Sequence, residues 1–111
     1  MNRGVPVYAA SLTEIIIKLF GVKNMITRDV TIKNSVGLHA RPATFFIQKA
    51  NSFKSSIWVE KDDRRVNAKS LLGVLSLGII KGMSITLIAD GDDESEALEG
   101  LATLIDSGFA E

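Results

Sequence analysis

The chain has one histidine and no cysteine, and that histidine, His39, stands in the run Gly37-Leu38-His39-Ala40-Arg41-Pro42-Ala43-Thr44. Nucleophilic chemistry near neutral pH falls to this ring. Imidazole suits such chemistry because the neutral ring, which is the nucleophile, is well populated near neutral pH in the unperturbed side chain. The same count removes disulfide frameworks, thiol nucleophiles and sulfur-ligated zinc. A stable transition-metal site would need several carboxylates converging on His39, and the sequence offers no such cluster. Pro42 fits the first turn of a helix, where its missing amide would have had no partner. His39 therefore lies where a loop becomes a helix. The first amides of a helix lack internal partners, and its dipole makes that end attractive to an anion. A phosphoryl group on the ring would meet those amides and the guanidinium of Arg41, which makes charge-assisted bonds. Phosphoryl transfer asks a protein mainly for positioning and charge compensation, and a carrier must not hold the anion too tightly. One arginine is a moderate clamp. A residue before proline is biased away from helical angles, so either Arg41 is held in a less favoured geometry or the helix begins one residue later. Gly37 supplies a turn that lets the ring stand clear of the backbone.

The elements that must position this segment follow from periodicity. Ile26, Arg28, Val30 and Ile32 alternate with Thr27, Asp29 and Thr31, a first strand with one face towards a core. A turn follows at Asn34 to Gly37. Ala43, Phe46, Ile47 and Ala50 recur at the spacing of one helical face over Ala40 to Asn51, with Phe45 outside that face. Ile57, Val59 and Val66 mark two strands of a hairpin joined through Lys61 to Arg65, and Trp58 points the other way. Ser70 to Leu77 reads as a short helix ended by Gly78, with Val74 and Leu77 on its buried side. Ile85, Leu87 and Ala89 form a fourth strand. Asp92, Asp93 and Glu94 open a last helix that buries Ala97, Leu98, Leu101, Ala102 and Ile105. The order strand, helix, strand, strand, helix, strand, helix with short connections predicts an α+β open-faced sandwich, a four-stranded antiparallel sheet covered on one face by three helices.

At 111 residues, 46% of them hydrophobic and 23% charged, the chain fits one globular core. Thirteen basic residues balance thirteen acidic ones, so no net positive field would hold it to nucleic acid or to an anionic membrane. Residues 1–24 read as an N-terminal extension before a domain at 25–111. Ser11 or Thr13 could cap a brief helix there through Ile15, Ile16, Leu19 and Phe20 to Gly21, either as a loosely attached arm or as a packing or dimerisation element. Leu12 to Val22 is too short, and too interrupted by Thr13, Glu14 and Lys18, for a membrane anchor or secretory signal. A cytoplasmic location is expected.

From Met25 to about Gly108 the sequence resembles the HPr family, phosphocarriers of the phosphoenolpyruvate-dependent sugar phosphotransferase system. The run G-L-H-A-R-P-A-T carries the resemblance. V-N-A-K-S-L-L-G-V-L-S-L-G-I from Val66 to Ile79 and A-x-G-x-D-E-x-E-A-L through Leu98 follow in order and spacing. The resemblance implies that His39 accepts a phosphoryl group at Nδ1 from phosphorylated enzyme I and donates it to sugar-specific IIA proteins, and that Arg41 stabilises the group. It implies a carrier without cofactor, acted on by partner enzymes. It places Ser70 at the serine phosphorylated by HPr kinase/phosphorylase, although a serine before an apolar run is also simply a good N-cap. Leu71, Leu72 and Leu75, with Thr44 and Phe45, are expected to form a small apolar dock for partners. Phe45 is larger than expected for its family position, and Val36 replaces a small polar residue, which weakens polar support near the ring. Two other readings compete. A Crh-like regulatory module acts through the serine with a catabolite repressor protein but lacks the carrier histidine; a specialised carrier serves a nitrogen or dihydroxyacetone relay.

Overall fold

The computed structural model describes residues 25–110. The expected arm helix lies outside them. In chain order the elements are β1 (Ile26–Thr31), α1 (Ala40–Asn51), β2 (Ser56–Lys61), β3 (Arg64–Asn67), α2 (Leu71–Ser76), β4 (Ser84–Asp90) and α3 (Glu94–Asp106), then a short 3-10 turn at Gly108–Ala110. The sheet order is β1-β4-β2-β3, antiparallel throughout. This is the four-stranded, three-helix sandwich that the periodicity predicts.

The alternation of β1 and β4 decides which face the helices cover. Val30, Ile85, Leu87 and Ala89 turn to one side with Ile57 and Val59 of β2, and all are buried. Phe46 and Ala50 of α1, Val74 of α2, and Leu98, Leu101 and Ile105 of α3 close over them in one core. Burying each such Leu, Ile or Phe side chain is worth about 1.5–3 kcal/mol. Arg28 shares the register of Val30 but not its burial: it stays exposed at the sheet edge, and its Nη1 donates to Glu99 of α3 at 2.9 Å. The β2–β3 connection is tighter than the expected Lys61 to Arg65. Lys61 and Arg64 pair within the ladder, leaving Asp62 and Asp63 as the turn, with Asp62 at a φ of 56°.

The open face is mostly polar. Asp29 accepts from the Thr86 hydroxyl at 2.6 Å, and Glu60 lies 3.9 Å from Arg65. Trp58 sits in this face opposite Ile88 of β4 and Asn67 of β3, which supplies the neighbours that sequence left unassigned. Ile88 is buried despite facing outward. Cross-strand contact between an aromatic ring and a β-branched side chain accounts for that pairing.

Candidate functional site

The site begins with the turn that presents His39. Asn34 is buried, and its Nδ2 donates to the Gly37 carbonyl at 2.8 Å, while the Gly37 amide returns to the Asn34 carbonyl at 3.2 Å. Gly37 has a φ of 64°, and a Cβ there would lie 2.4 Å from the Ile79 carbonyl oxygen and 2.7 Å from the Ile80 Cα. Glycine is required on both counts, by its left-handed backbone and by the approach of the Ile79–Ile80 strand of chain. The next residue, Leu38, is buried, and its amide donates to that same Ile79 carbonyl at 3.0 Å. The loop is thus pinned immediately before the histidine.

His39 is the N-cap of α1, extended at φ −116° and ψ 154°, and its side chain makes no capping hydrogen bond. The residue is exposed. Its carbonyl accepts from the Ala43 amide at 3.4 Å, so the helix mouth has its first internal bond there. Pro42 has no amide, which leaves those of Ala40 and Arg41 as the donors that helix geometry directs outward. The backbone tension expected around Arg41 is found one residue earlier. Ala40 has a φ of 40°, a left-handed value that costs a non-glycine residue roughly 1–2 kcal/mol. The chain turns sharply there, and Pro42 then enters α1 buried against the core.

Arg41 is exposed beside Pro42, and its guanidinium carbon lies 5.6 Å from the centre of the Phe45 ring. Ser35, Val36, Arg41, Pro42, Phe45 and Phe109 line an open groove of about 450 Å³. Thr44 is exposed, with its hydroxyl turned back to the Ala40 carbonyl at 3.1 Å. Phe45, Leu71 and Leu72 are exposed and Leu75 is half-buried, whereas Val74 and Leu77 are buried as the periodicity requires. α2 packs against α1, but the grooves that Phe45 lines are completed by Val36, Leu104 and Phe109 and include none of Leu71, Leu72 and Leu75. Val36 and Ile80, each 52% exposed, extend that apolar surface where the Gly37 backbone meets Ile80. Sequence reasoning passed over Ile80 as a surface residue. The available sign was two adjacent isoleucines between Gly78 and Gly82, of which alternation can bury only one. Phe109 was missed as well, since its inward packing follows from a left-handed φ of 57° after the last helix.

Ser70 caps α2. Its Oγ accepts from the Gly73 amide at 3.1 Å, its own amide donates to the Asn67 carbonyl at 3.0 Å, and it is half-buried. Arg64 closes the other end of that helix, with Nη1 donating to the Ser76 carbonyl at 2.8 Å. Among the described residues no group of three or more metal-ligating side chains converges, and no helix is long and apolar enough to cross a membrane.

Comparison with known proteins agrees with this geometry. Residues 26–107 match the family model described as the PTS HPr component phosphorylation site. The HPr-like protein Crh of Halalkalibacterium halodurans is 50% identical over 82 residues, covering 74% of this chain and 98% of its own. The phosphocarrier protein HPr of Neisseria meningitidis serogroup A is 46% identical over 87 residues, covering 78% of this chain and 98% of its own. The crystal structure of HPr-C-His from Thermoanaerobacter tengcongensis superposes with a TM-score of 0.76 at 52% identity, covering 78% of this chain and 97% of that one. The chain belongs to the HPr family, which includes the phosphocarrier protein HPr and the HPr-like protein Crh.

Proposed function

We propose that His39 accepts a phosphoryl group from phosphorylated enzyme I and passes it to sugar-specific IIA proteins. The observation that carries this reading is an exposed imidazole at the mouth of α1 that takes no part in capping the helix. In the accepting step the Nδ1 lone pair attacks phosphorus, an N–P bond forms on His39, and the N–P bond of the donor histidine breaks with its electron pair returning to that ring. Donation to a IIA histidine is the same displacement run from His39. The amides of Ala40 and Arg41 and the Arg41 guanidinium compensate the charge of the group while it is held. With one such cation, the phosphoryl group remains transferable.

Ser70 carries the regulatory half of the reading. Phosphorylation by HPr kinase/phosphorylase would add roughly −1.5 to −2 charge at the start of α2, an end that tolerates an anion, so docking changes while the fold persists. The 50% identity to a Crh protein favours, as a second role, contact with a catabolite repressor protein through the same serine. A purely regulatory Crh-like module would not need His39, and a nitrogen or dihydroxyacetone relay would not need the Ser70 segment.

The deciding experiment incubates the protein with enzyme I and phosphoenolpyruvate. Wild type should gain an acid-labile, base-stable phosphate that His39→Ala does not gain. Equal labelling of the variant would reject His39 as the acceptor.

A further inference from the structure

One peptide unit carries the loop before His39 at one end and meets a sulfur at the other. The Ile79 carbonyl accepts from the Leu38 amide at 3.0 Å and stands against Gly37. The Ile80 amide belongs to that same rigid plane, and it donates to Sδ of Met83 at 3.4 Å. Met83 holds it from a fixed base. The Met83 amide donates to the Ile80 carbonyl at 3.2 Å, and the Met83 carbonyl accepts from the Ile32 amide at 2.9 Å, just past the end of β1. The Ile32 carbonyl in turn accepts from the Gly82 amide at 2.8 Å. The Met83 side chain is half-buried and packs against the core. Leu38, the residue before His39, thus takes its position from a plane whose far end the thioether supports.

We propose that Met83 is an oxidation site: the reduced thioether positions the loop before His39 through the Ile79–Ile80 peptide, and its conversion to the sulfoxide slows phosphoryl transfer to His39. The inference rests on His39 as the phosphoryl acceptor and extends that reading to its control. With hydrogen peroxide as oxidant, the sulfur lone pair attacks one peroxide oxygen, an S–O bond forms and the O–O bond breaks. The proton on the transferred oxygen goes to the departing hydroxide, which leaves as water; the sulfur is oxidised and the peroxide reduced. The added oxygen has no room in the existing contact. An N–H···O bond alone spans about 2.7–3.2 Å, so an oxygen bonded to the sulfur cannot stand between it and an amide nitrogen 3.4 Å away. The side chain must swing aside or the peptide must turn, and in both cases the plane that grips Leu38 loses its present support. The sulfoxide is also polar where the thioether packed against the core, which disrupts that packing, and enzymatic reduction reverses the change. Transfer between two protein-held rings is sensitive to displacements of about 1 Å, so the loosened loop is felt at His39.

The test uses the full chain, as wild type and as Met83→Leu, which conserves volume and removes the acceptor. The sequence has three methionines, so Met1 and Met25 oxidise beside Met83, and Met83→Leu controls for both. Amide hydrogen exchange at Leu38 and Ile80 is followed by NMR, with Leu87 of β4 as the reference. Met83→Leu should speed exchange at both amides about two- to tenfold relative to Leu87, the worth of one ordinary hydrogen bond. Transfer from phosphorylated enzyme I should slow by a similar factor, about two- to tenfold, in Met83→Leu and in peroxide-treated wild type. Methionine sulfoxide reductases should restore the treated wild type, and peroxide should not slow Met83→Leu further. Phosphoramidate needs no protein surface to reach an exposed ring, and it should label His39 equally in every sample: its own P–N bond breaks as the P–N bond to His39 forms, and ammonia leaves. Equal acceleration of exchange at Leu38, Ile80 and Leu87 would reduce Met83 to a core residue and overturn the inference. So would peroxide slowing Met83→Leu as much as wild type, or unequal phosphoramidate labelling. Failure of enzyme I to label untreated wild type is a separate result that strikes the relay, and the exchange readout does not depend on it.

Discussion

Ser70 caps a helix with the same oxygen that the proposed function assigns to phosphorylation, and only the second role depends on a partner. Its Oγ accepts the Gly73 amide that α2 would otherwise leave open. Removing that acceptor costs a short helix about 1 kcal/mol. Ser70→Ala should therefore lower the melting temperature by about 4–8 °C for a domain of this size. The same variant should also lose the acid-stable phosphate that HPr kinase/phosphorylase and ATP install on the wild type, and peptide mapping of that phosphate to another hydroxyl would contradict the assignment. The cap was legible in sequence because serine before an apolar run has a local meaning. The place of His39 at a helix start was legible for the same reason, through Pro42 and the motif around it. The left-handed Ala40 was not, since nothing in an alanine announces a positive φ; the strain is imposed by the pinned turn at Gly37 and the buried Pro42 on either side of it.

At the scale of elements, the start of α3 gives up its own cap to hold a neighbour. Asp93 occupies the N-cap position but makes no side-chain bond to its helix. Its carboxylate instead accepts from the Ser55 hydroxyl at 2.5 Å and from the Lys54 and Ser55 amides at 2.8 and 2.9 Å, tying α3 to the segment before β2. The Ser55 hydroxyl, followed by the Lys54 amide, pulls its pKa from 3.8 down to about 2. A carboxyl lowered on folding stabilises the native state fully above its unfolded pKa, and that contribution is lost as pH falls through the folded value. Acid unfolding between about pH 4 and pH 2 should then be shallower in Asp93→Asn. The variant should be less stable than wild type at pH 7 and converge with it near pH 2, as followed by denaturant titration at each pH. Equal pH dependence would show that the three bonds contribute nothing. Sequence placed negative charge at this helix start correctly but assigned it to the dipole. The partner lies 38 positions away at Ser55, a contact that no local pattern encodes.

Across the whole molecule, the family match and the described sheet begin together at Ile26. The order of elements along the chain, the single helical layer and most buried residues could be read from periods of 2 and 3.6, because each element buries one face only, whereas the spatial strand order β1-β4-β2-β3 could not. Edge behaviour could not: Arg28 follows the buried register of β1 yet reaches solvent, because β1 is the outermost strand and α3 covers it incompletely. We propose that residues 25–111 are the functional unit. Deleting residues 1–24 should leave phosphate transfer from enzyme I and the cooperative melt unchanged, and loss of folding would show that the extension belongs to the core. The doubly fastened turn before His39 bears on how the molecule keeps time. Asn34 clasps Gly37 from within and Ile79 holds Leu38 from the neighbouring segment, so the ring is carried on a platform that costs nothing further to organise. What remains to move is a side chain on the surface, and such rotations finish in picoseconds to nanoseconds. On the proposed relay, turnover would be paced by meeting the next protein, since the pinned backbone offers every visitor the same platform on arrival.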